Sequence, residues 1–282
     1  MSAILRLSLV VLVVSLPLHA QACTLWGAAG ADAADGTILS KNRDWKPDHQ
    51  QSLKLVRPAQ GYAYFGLYAE GNDEPGLKAG VNEKGLSIVS ASSNIPNASR
   101  QRQSGKHGIM IDILRRFASI DALLPQADRI FAASYANFFM IADAHKLLVA
   151  EIGLDGRFRY KVVDQGATAH TNHYLDDALA GQFEDQPGRS SATRLARVNE
   201  LLAQAPRPLT AEQFAQISRD HHDGPNNSLW RNGREHTLAS WIISHPKNSA
   251  PHLRVVLNNP GQDESIQEFT LDEAFWQKND NP

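Results

Sequence analysis

Cysteine is almost absent from this 282-residue chain: Cys23 is the only one, so no internal disulfide can form. Charge of one sign is lacking too. The formal net charge is −2, and no basic stripe or charge block runs along the sequence, which argues against nucleic acid or an anionic membrane as partner. No internal repeat and no low-complexity linker divides the chain. Apolar runs long enough to span a bilayer, for which about 20 residues are needed, are missing as well. The eleven histidines include His170 with His173 and His221 with His222, but neither pair has the spacing and added carboxylate of a recognisable zinc motif, so no metal and no cofactor is expected.

What is present begins with a leader. Residues 1–22 carry Arg6, the apolar run "ILRLSLVVLVVSLPL" and then "AQA", with small residues at Ala20 and Ala22, the pattern of a cleavable export signal. The chain is therefore expected to be exported, periplasmic or secreted, with residues 1–22 removed and residues 23–282 forming a single domain. Cleavage leaves 260 residues and takes the net charge to −3 with the loss of Arg6, a length that suits one substantial core.

Cys23 would then be the first residue, in a compartment where thiols oxidise and with no partner to protect it. Three readings are open. It can be lipid-modified, although Ala20 and Gln21 stand where such signals carry leucine and a small residue. It can be a plain half-buried thiol or half of an intermolecular bridge. Or it can be a nucleophile whose own freed α-amino group is its base. A thiol with a pKa of about 8.5 needs a base or a positive neighbour to attack at neutral pH. An α-amino group, with a pKa of about 7.7 to 8.0, can take that proton and return it to a leaving amine. In a precursor the same nitrogen is an amide, so export cleavage would also be the activation step.

Periodicity places strands over "CTLWGAAGA", "DGTILSKNRDW", "SLKLVRP" and "AYFGLYA", and two more in "LKAGVNEKGLSIVSASS" joined by a turn from Asn82 to Gly85. The segment "IMIDILRRFASIDALLPQA" has helical spacing, and "ANFFMIADAHKLLVAEIG" alternates like a hairpin with "DGRFRYKVV" paired to it. Helices are expected in "SSATRLARVNELLAQA" and in "TAEQFAQISRDHH", where Thr210 is an N-cap three residues before Gln213. Strands return in "HTLASWIISHP", "LRVVLNN" and "IQEFTL". The pattern reads as an α+β layered fold with an antiparallel core.

The order Cys23, "KNRDW", "GVNEKGL", "ADAHKLLVAEI", "HTNH", "SSATRLARV" and "TLASWIISHP" resembles the cysteine-type N-terminal nucleophile (Ntn) hydrolases, in particular the acyl-coenzyme A:6-aminopenicillanic acid acyltransferase family. Choloylglycine hydrolases and penicillin V acylases are more distant relatives of the same pattern. The resemblance implies a four-layer αββα sandwich with the nucleophile on the first strand. It implies that Asp44 accepts a hydrogen bond from the α-amino group, that Asn172 offers its side-chain N–H to the oxyanion, and that Arg194 lies near Cys23 and favours thiolate. Asn94 resembles a second oxyanion residue, though its spacing after "NEKGL" differs by a couple of residues. Lys41 stands where the family pattern has arginine, so either Lys41 keeps that charge or Arg43 takes part of its role. Trp26 is close enough in sequence to Cys23 to line a pocket; Trp45, Trp230 and Trp241 read as core. The loop from Asn226 to Trp230 is a candidate cover for the site, and Asn97-Ala98-Ser99 fits a glycosylation sequon.

The resulting expectation is an exported amidohydrolase that cleaves a linear nonpeptide amide, a small-molecule acyl compound, through a thioester on Cys23. An acyltransferase of the same fold is the enzymatic alternative, and a noncatalytic lipid-anchored envelope protein the alternative from another class. A cysteine hydrolase using His170 or His173 as base is a further rival. Homo-oligomerisation is left open.

Overall fold

A computed structural model describes residues 23–34, 36–71, 75–95, 99, 105–181 and 187–278. The leader and the Asn97 sequon lie outside the described residues.

Thirteen strands form two antiparallel sheets among the described residues. They are β1 (Cys23–Gly30), β2 (Gly36–Trp45), β3 (Gln50–Val56), β4 (Tyr64–Glu70), β5 (Gly76–Asn82), β6 (Ser87–Ala91), β7 (Asn137–Ala142), β8 (Leu147–Ile152), β9 (Phe158–Val163), β10 (Gly166–His170), β11 (His236–His245), β12 (His252–Leu257) and β13 (Ser265–Thr270). One sheet runs in the order β10-β1-β2-β11-β12-β13; the other is a meander from β3 to β9. The described helices are α1 (Ile109–Arg116), α2 (Ile120–Ala132), α3 (Asp177–Ala180), α4 (Arg189–Gln204), α5 (Ala211–Ser218) and α6 (Glu273–Gln277).

Successive side chains on a strand point to opposite faces, and both faces of the central strands are covered. On β1 and β2, Cys23, Leu25 and Leu39 join a core between the sheets with Phe138, Met140 and Trp241. Trp26, Ala28 and Ile38 turn outward onto Val198 and Leu202 of α4 and Phe214 and Ile217 of α5. The meander buries its outer face, including Ile88, Phe139 and Leu148, under Ile113 of α1 and Phe131 of α2. Helix, sheet, sheet, helix is the layer order, the four-layer α+β sandwich that the sequence resemblance implies. Every residue of β2 is consequently buried, Lys41, Asn42, Arg43 and Asp44 included. A buried polar run of that kind has to find partners, and those partners make the site.

Two local devices deserve their reasons. The sheets approach closely at Gly27, where a Cβ would sit 2.9 Å from both the Ile38 carbonyl and a Leu147 methyl. In the β5–β6 turn, Gly85 takes φ +84°, a region that glycine enters without steric cost. The helical spacing of "IMIDILRRFASIDALLPQA" resolves into two helices: Phe117 is extended, and the Ser119 side chain caps α2 by accepting from Ala122 N–H.

Candidate functional site

Cys23 is the first residue of β1 and lies opposite Arg43 on β2. Its nitrogen and its sulfur meet different layers of the molecule.

On the nitrogen side, the Cys23 N–H donates to Asn172 Oδ1 at 3.0 Å. That same oxygen accepts from Arg194 Nη2 at 2.9 Å. Arg194 Nη1 donates to the Cys23 carbonyl at 2.7 Å and to Thr24 Oγ1 at 2.8 Å. Asn172 follows β10, which pairs with β1, and its backbone N–H is held at 2.8 Å by Ser191 Oγ of α4. Ser191 and Arg194 share the buried stripe of α4 with Val198 and Leu202, the three- and four-residue spacing that puts side chains on one helix face.

Asp44 sits beneath this group, fully buried. Its Oδ1 accepts from Thr237 Oγ1 at 2.7 Å, and a register shift in the β2–β11 pairing at Thr237/Ala239 sets that hydroxyl, as bulges beside sites commonly do. Asp44 Oδ2 has no hydrogen-bond partner, and Arg231 Nη1 stands 4.0 Å away from it. Arg231 is in turn paired with Glu235. Burial pushes the Asp44 carboxyl above the ordinary range, with Arg231 and Arg194 opposing. Burial likewise draws the Arg194 guanidinium down to about 10 and pushes Glu235 up.

On the sulfur side, the thiol faces the space between the sheets. Burial alone would raise its pKa, but Lys41 and Arg43 outweigh burial and hold the thiol below its ordinary value, helped by a hydrogen bond from the Asp44 backbone N–H. Lys41 Nζ donates to the Ser90 carbonyl of β6, and its charge favours the Cys23 thiolate. Burial lowers the Lys41 pKa, with Arg43 adding to the effect and Cys23 opposing it. A cavity of about 460 Å³ opens here, lined by Cys23, Lys41, Arg43, Trp45, Ser92 and Tyr135 among others. Lys78, Lys106 and His107 also line it, and no carboxylate does so among the described residues.

Several residues act differently from the sequence expectation. Asn172 gives one N–H of its Nδ2 to the Ser92 carbonyl at 2.8 Å, and its oxygen, not its nitrogen, meets the Cys23 N–H. Asp44 does not take the Cys23 N–H, which is spent on Asn172. Arg194 reaches the Cys23 backbone, whereas the charges that lower the thiol pKa are those of Lys41 and Arg43. Trp26 does not line the cavity. It is an even-numbered residue of β1, so its ring turns outward and packs on Phe214 with centroids 6.1 Å apart. Asn94 enters through its backbone, donating to the Asn172 carbonyl at 3.0 Å, and Ser92 occupies the cavity wall instead. Trp45, read as core, does line the cavity, under the Arg43 guanidinium at 4.4 Å.

His170 is engaged with Glu151 Oε1 at 3.1 Å and the Thr171 carbonyl at 2.9 Å, and His173 with Ser191 Oγ at 2.8 Å. Both rings brace the Asn172 segment rather than the thiol, which leaves the imidazole-base alternative without a geometry. Sequence reading passed over Ser191, Thr237 and Arg231. For Ser191 a signal existed, its three-residue spacing from Arg194; Thr237 and Arg231 depend on strand pairing across the chain.

The two-sheet architecture with a buried cysteine at the head of its first strand and asparagine, arginine and aspartate around it defines an Ntn-hydrolase fold. The structure is similar to the R18L variant of conjugated bile acid hydrolase from Clostridium perfringens, with TM-score 0.54 and 12% identity over 88% of this chain and 92% of that one. It is also similar to the Caenorhabditis elegans N-acylethanolamine-hydrolyzing acid amidase ortholog, with TM-score 0.51 and 15% identity over 78% of this chain and 92% of that one. At such identities the likeness carries the fold. No curated protein matches the sequence. The chain belongs to the acyl-coenzyme A:6-aminopenicillanic acid acyl-transferase family, whose pattern matches residues 32–262. That span includes Asp44, Asn172 and Arg194 and begins after Cys23.

Proposed function

We propose that the chain is an exported amidohydrolase of the N-terminal cysteine type, with residues 1–22 as a removed leader and residues 23–282 as one catalytic domain. The observation that carries this reading is the division of Cys23: its sulfur is held by two cations at a cavity, and its nitrogen is aligned by a buried asparagine. While Ala22 is attached, that nitrogen has one hydrogen, and Asn172 takes it. Once cleavage frees the amine, further hydrogens need an acceptor, and Asp44 Oδ2 is buried nearby without a donor.

The reaction follows from these positions. Cys23 sulfur, as thiolate, attacks the acyl carbonyl of a linear nonpeptide amide and forms a C–S bond. The α-amino group receives the thiol proton and delivers it to the departing amine as the C–N bond breaks. Water then attacks the thioester, its proton passing to the same amine, and thiolate leaves. Family membership and the cationic, carboxylate-free cavity lining support an acylase-type activity on a small molecule. An entering amine or thiol in place of water would make the same site an acyltransferase, and the family's name keeps that as the second reading. Coenzyme A is scarce outside the cytoplasm, which favours hydrolysis. Among the described residues no helix is long and apolar enough to cross a membrane.

The test is a panel of acyl amides, including N-acyl amino acids, penicillin-like side-chain amides and acyl-homoserine lactones, with purified processed protein whose first residue is established by intact mass. Turnover that vanishes in Cys23→Ala and in a form bearing one extra residue before Cys23 is the expected result. A diacylglycerol adduct on Cys23, or full activity with the extra residue present, would overturn it.

A further inference from the structure

Arg43 is only 2% exposed, yet two of its donors are idle. Nη1 donates to the Asp44 carbonyl at 2.8 Å, whereas Nε and Nη2 are buried without a hydrogen-bond partner. The guanidinium lies 4.4 Å from the centre of the Trp45 ring, which fixes its plane, and both residues line the cavity with Cys23. Buried charged donors without partners are rare because each forfeits its hydration. Two on one side chain, at the wall of a cavity, mark a place where an oxygen acceptor belongs.

The neighbours narrow which oxygen that is. Arg43 is directly opposite Cys23 in the β1–β2 ladder, on the face that carries the sulfur. When sulfur attacks an amide carbonyl, the oxygen that gains the charge is bonded to the very carbon attacked, so it arises beside the sulfur. The donor that the sequence expectation assigned to that charge, Asn172 Nδ2, gives one of its two N–H groups to the Ser92 carbonyl at 2.8 Å, so at most one is left for the oxygen. Lys41 Nζ donates to the Ser90 carbonyl and offers a point charge rather than a planar pair of donors. A carboxylate on a remote part of a substrate has the lysines of the cavity wall, Lys78 and Lys106, to meet.

We propose that Arg43 is an oxyanion donor of this enzyme, its Nε–H and Nη2–H receiving the carbonyl oxygen of the substrate as it becomes an alkoxide. This rests on the amidohydrolase reading. In the first step the C–S bond forms and the carbonyl π pair moves onto oxygen, against Arg43. Collapse restores the carbonyl and expels the amine with the proton held by the α-amino group. Attack of water on the thioester repeats the charge on the same oxygen, and thiolate departs.

Arg43→Gln and Arg43→Lys in the processed enzyme test this with two amides of one acyl group, one with a carboxylate on the amine half and one neutral. For Arg43→Gln, kcat is expected to fall about a hundredfold on both, as for loss of an oxyanion donor, with little change in KM. Alkylation of Cys23 by iodoacetamide, which passes through no oxyanion, is expected to keep its wild-type rate at a pH where both thiols are ionised. Arg43→Lys, which retains charge but not the planar pair of donors, is expected to lose about tenfold. A rise in KM for the carboxylate substrate alone, with kcat retained, would overturn the proposal, as would alkylation and hydrolysis falling together. Should Arg43→Gln give no cooperative melting, Arg43→Lys decides, and an unchanged kcat there counts against the role. A wild type that alkylates at Cys23 but cleaves no amide refutes the amidohydrolase reading instead.

Discussion

Asn172 Oδ1 receives two donors at once, the Cys23 N–H at 3.0 Å and Arg194 Nη2 at 2.9 Å. One amide oxygen thus couples the Cys23 nitrogen to a buried guanidinium drawn from helix α4.

Replacing Asn172 by alanine removes that coupling. The expected outcome is a drop in kcat/KM of about a hundredfold or more, because the α-amino group loses its alignment and Arg194 its acceptor. Asn172→Asp keeps the acceptor and is expected to retain more activity than alanine, though it adds a charge beside Asp44. Steady-state kinetics on one amide across the three proteins checks both.

Lys41 predicts a pH signature. Its ammonium is held low by burial and by Arg43, and it faces Cys23, Asp44 and, across the cavity, Lys78, Lys106 and His107. As pH rises, Lys41 loses its proton below the usual lysine range, and the thiolate expelled from the thioester loses a counter-charge. The kcat profile should therefore fall on its alkaline side. Lys41→Arg, which does not titrate there, is expected to move that limb to higher pH while leaving the acid limb in place. Coincident profiles for the two proteins would remove Lys41 from the reaction.

His245 gives a stability prediction. It closes β11, is buried against Ser87 Oγ at 2.8 Å, and has no partner for Nδ1. Burial brings its pKa from 6.5 to about 4. The folded pKa lies below the unfolded one, so the contribution is complete above pH ~6.5 and is lost as pH falls toward ~4, by roughly 3 kcal/mol. Urea unfolding across that window measures it, and His245→Asn is expected to flatten the dependence. An equal slope in the variant assigns the acid lability to other groups.

Asn82 predicts loss of stability without loss of chemistry. Its side chain donates to the Leu114 and Phe117 carbonyls at 2.7 and 2.8 Å and accepts from Lys84 and Leu86 N–H at 3.0 Å each. Asn82→Ala leaves these groups buried and partly unsatisfied, a cost on the order of 2–4 kcal/mol. The denaturant midpoint should fall while kcat/KM stays close to wild type.

The same residue explains what could be read from sequence alone. "GVNEKGL" announced a hairpin turn, and that is its work: Asn82 ties the turn to the end of α1, and Gly85 supplies the positive φ. Alternation along "CTLWGAAG" and "GTILSKNRDW" likewise foretold paired strands, and Thr210 with Gln213 forms the expected capping box. What stayed hidden follows from pairing at long range. No local pattern reveals that Cys23 faces Arg43, that Thr237 slides in register to meet Asp44, or that Ser92 captures the Asn172 amide. Trp26 was misplaced for a simpler reason: closeness in sequence on a strand carries no information unless the parity of the positions is counted. The split at Phe117 escaped notice because both helices share one apolar period.

Because nitrogen and sulfur of a single amino acid look into separate compartments, the proposed chemistry places proton handling and choice of substrate on different walls of the molecule. On the proposed chemistry the helix layer behind β1 would govern proton traffic, whereas the meander and residues 106–111 line the cavity on the sulfur side. Redesigning those distant walls should retarget the catalyst toward new amides while its proton relay goes on unchanged.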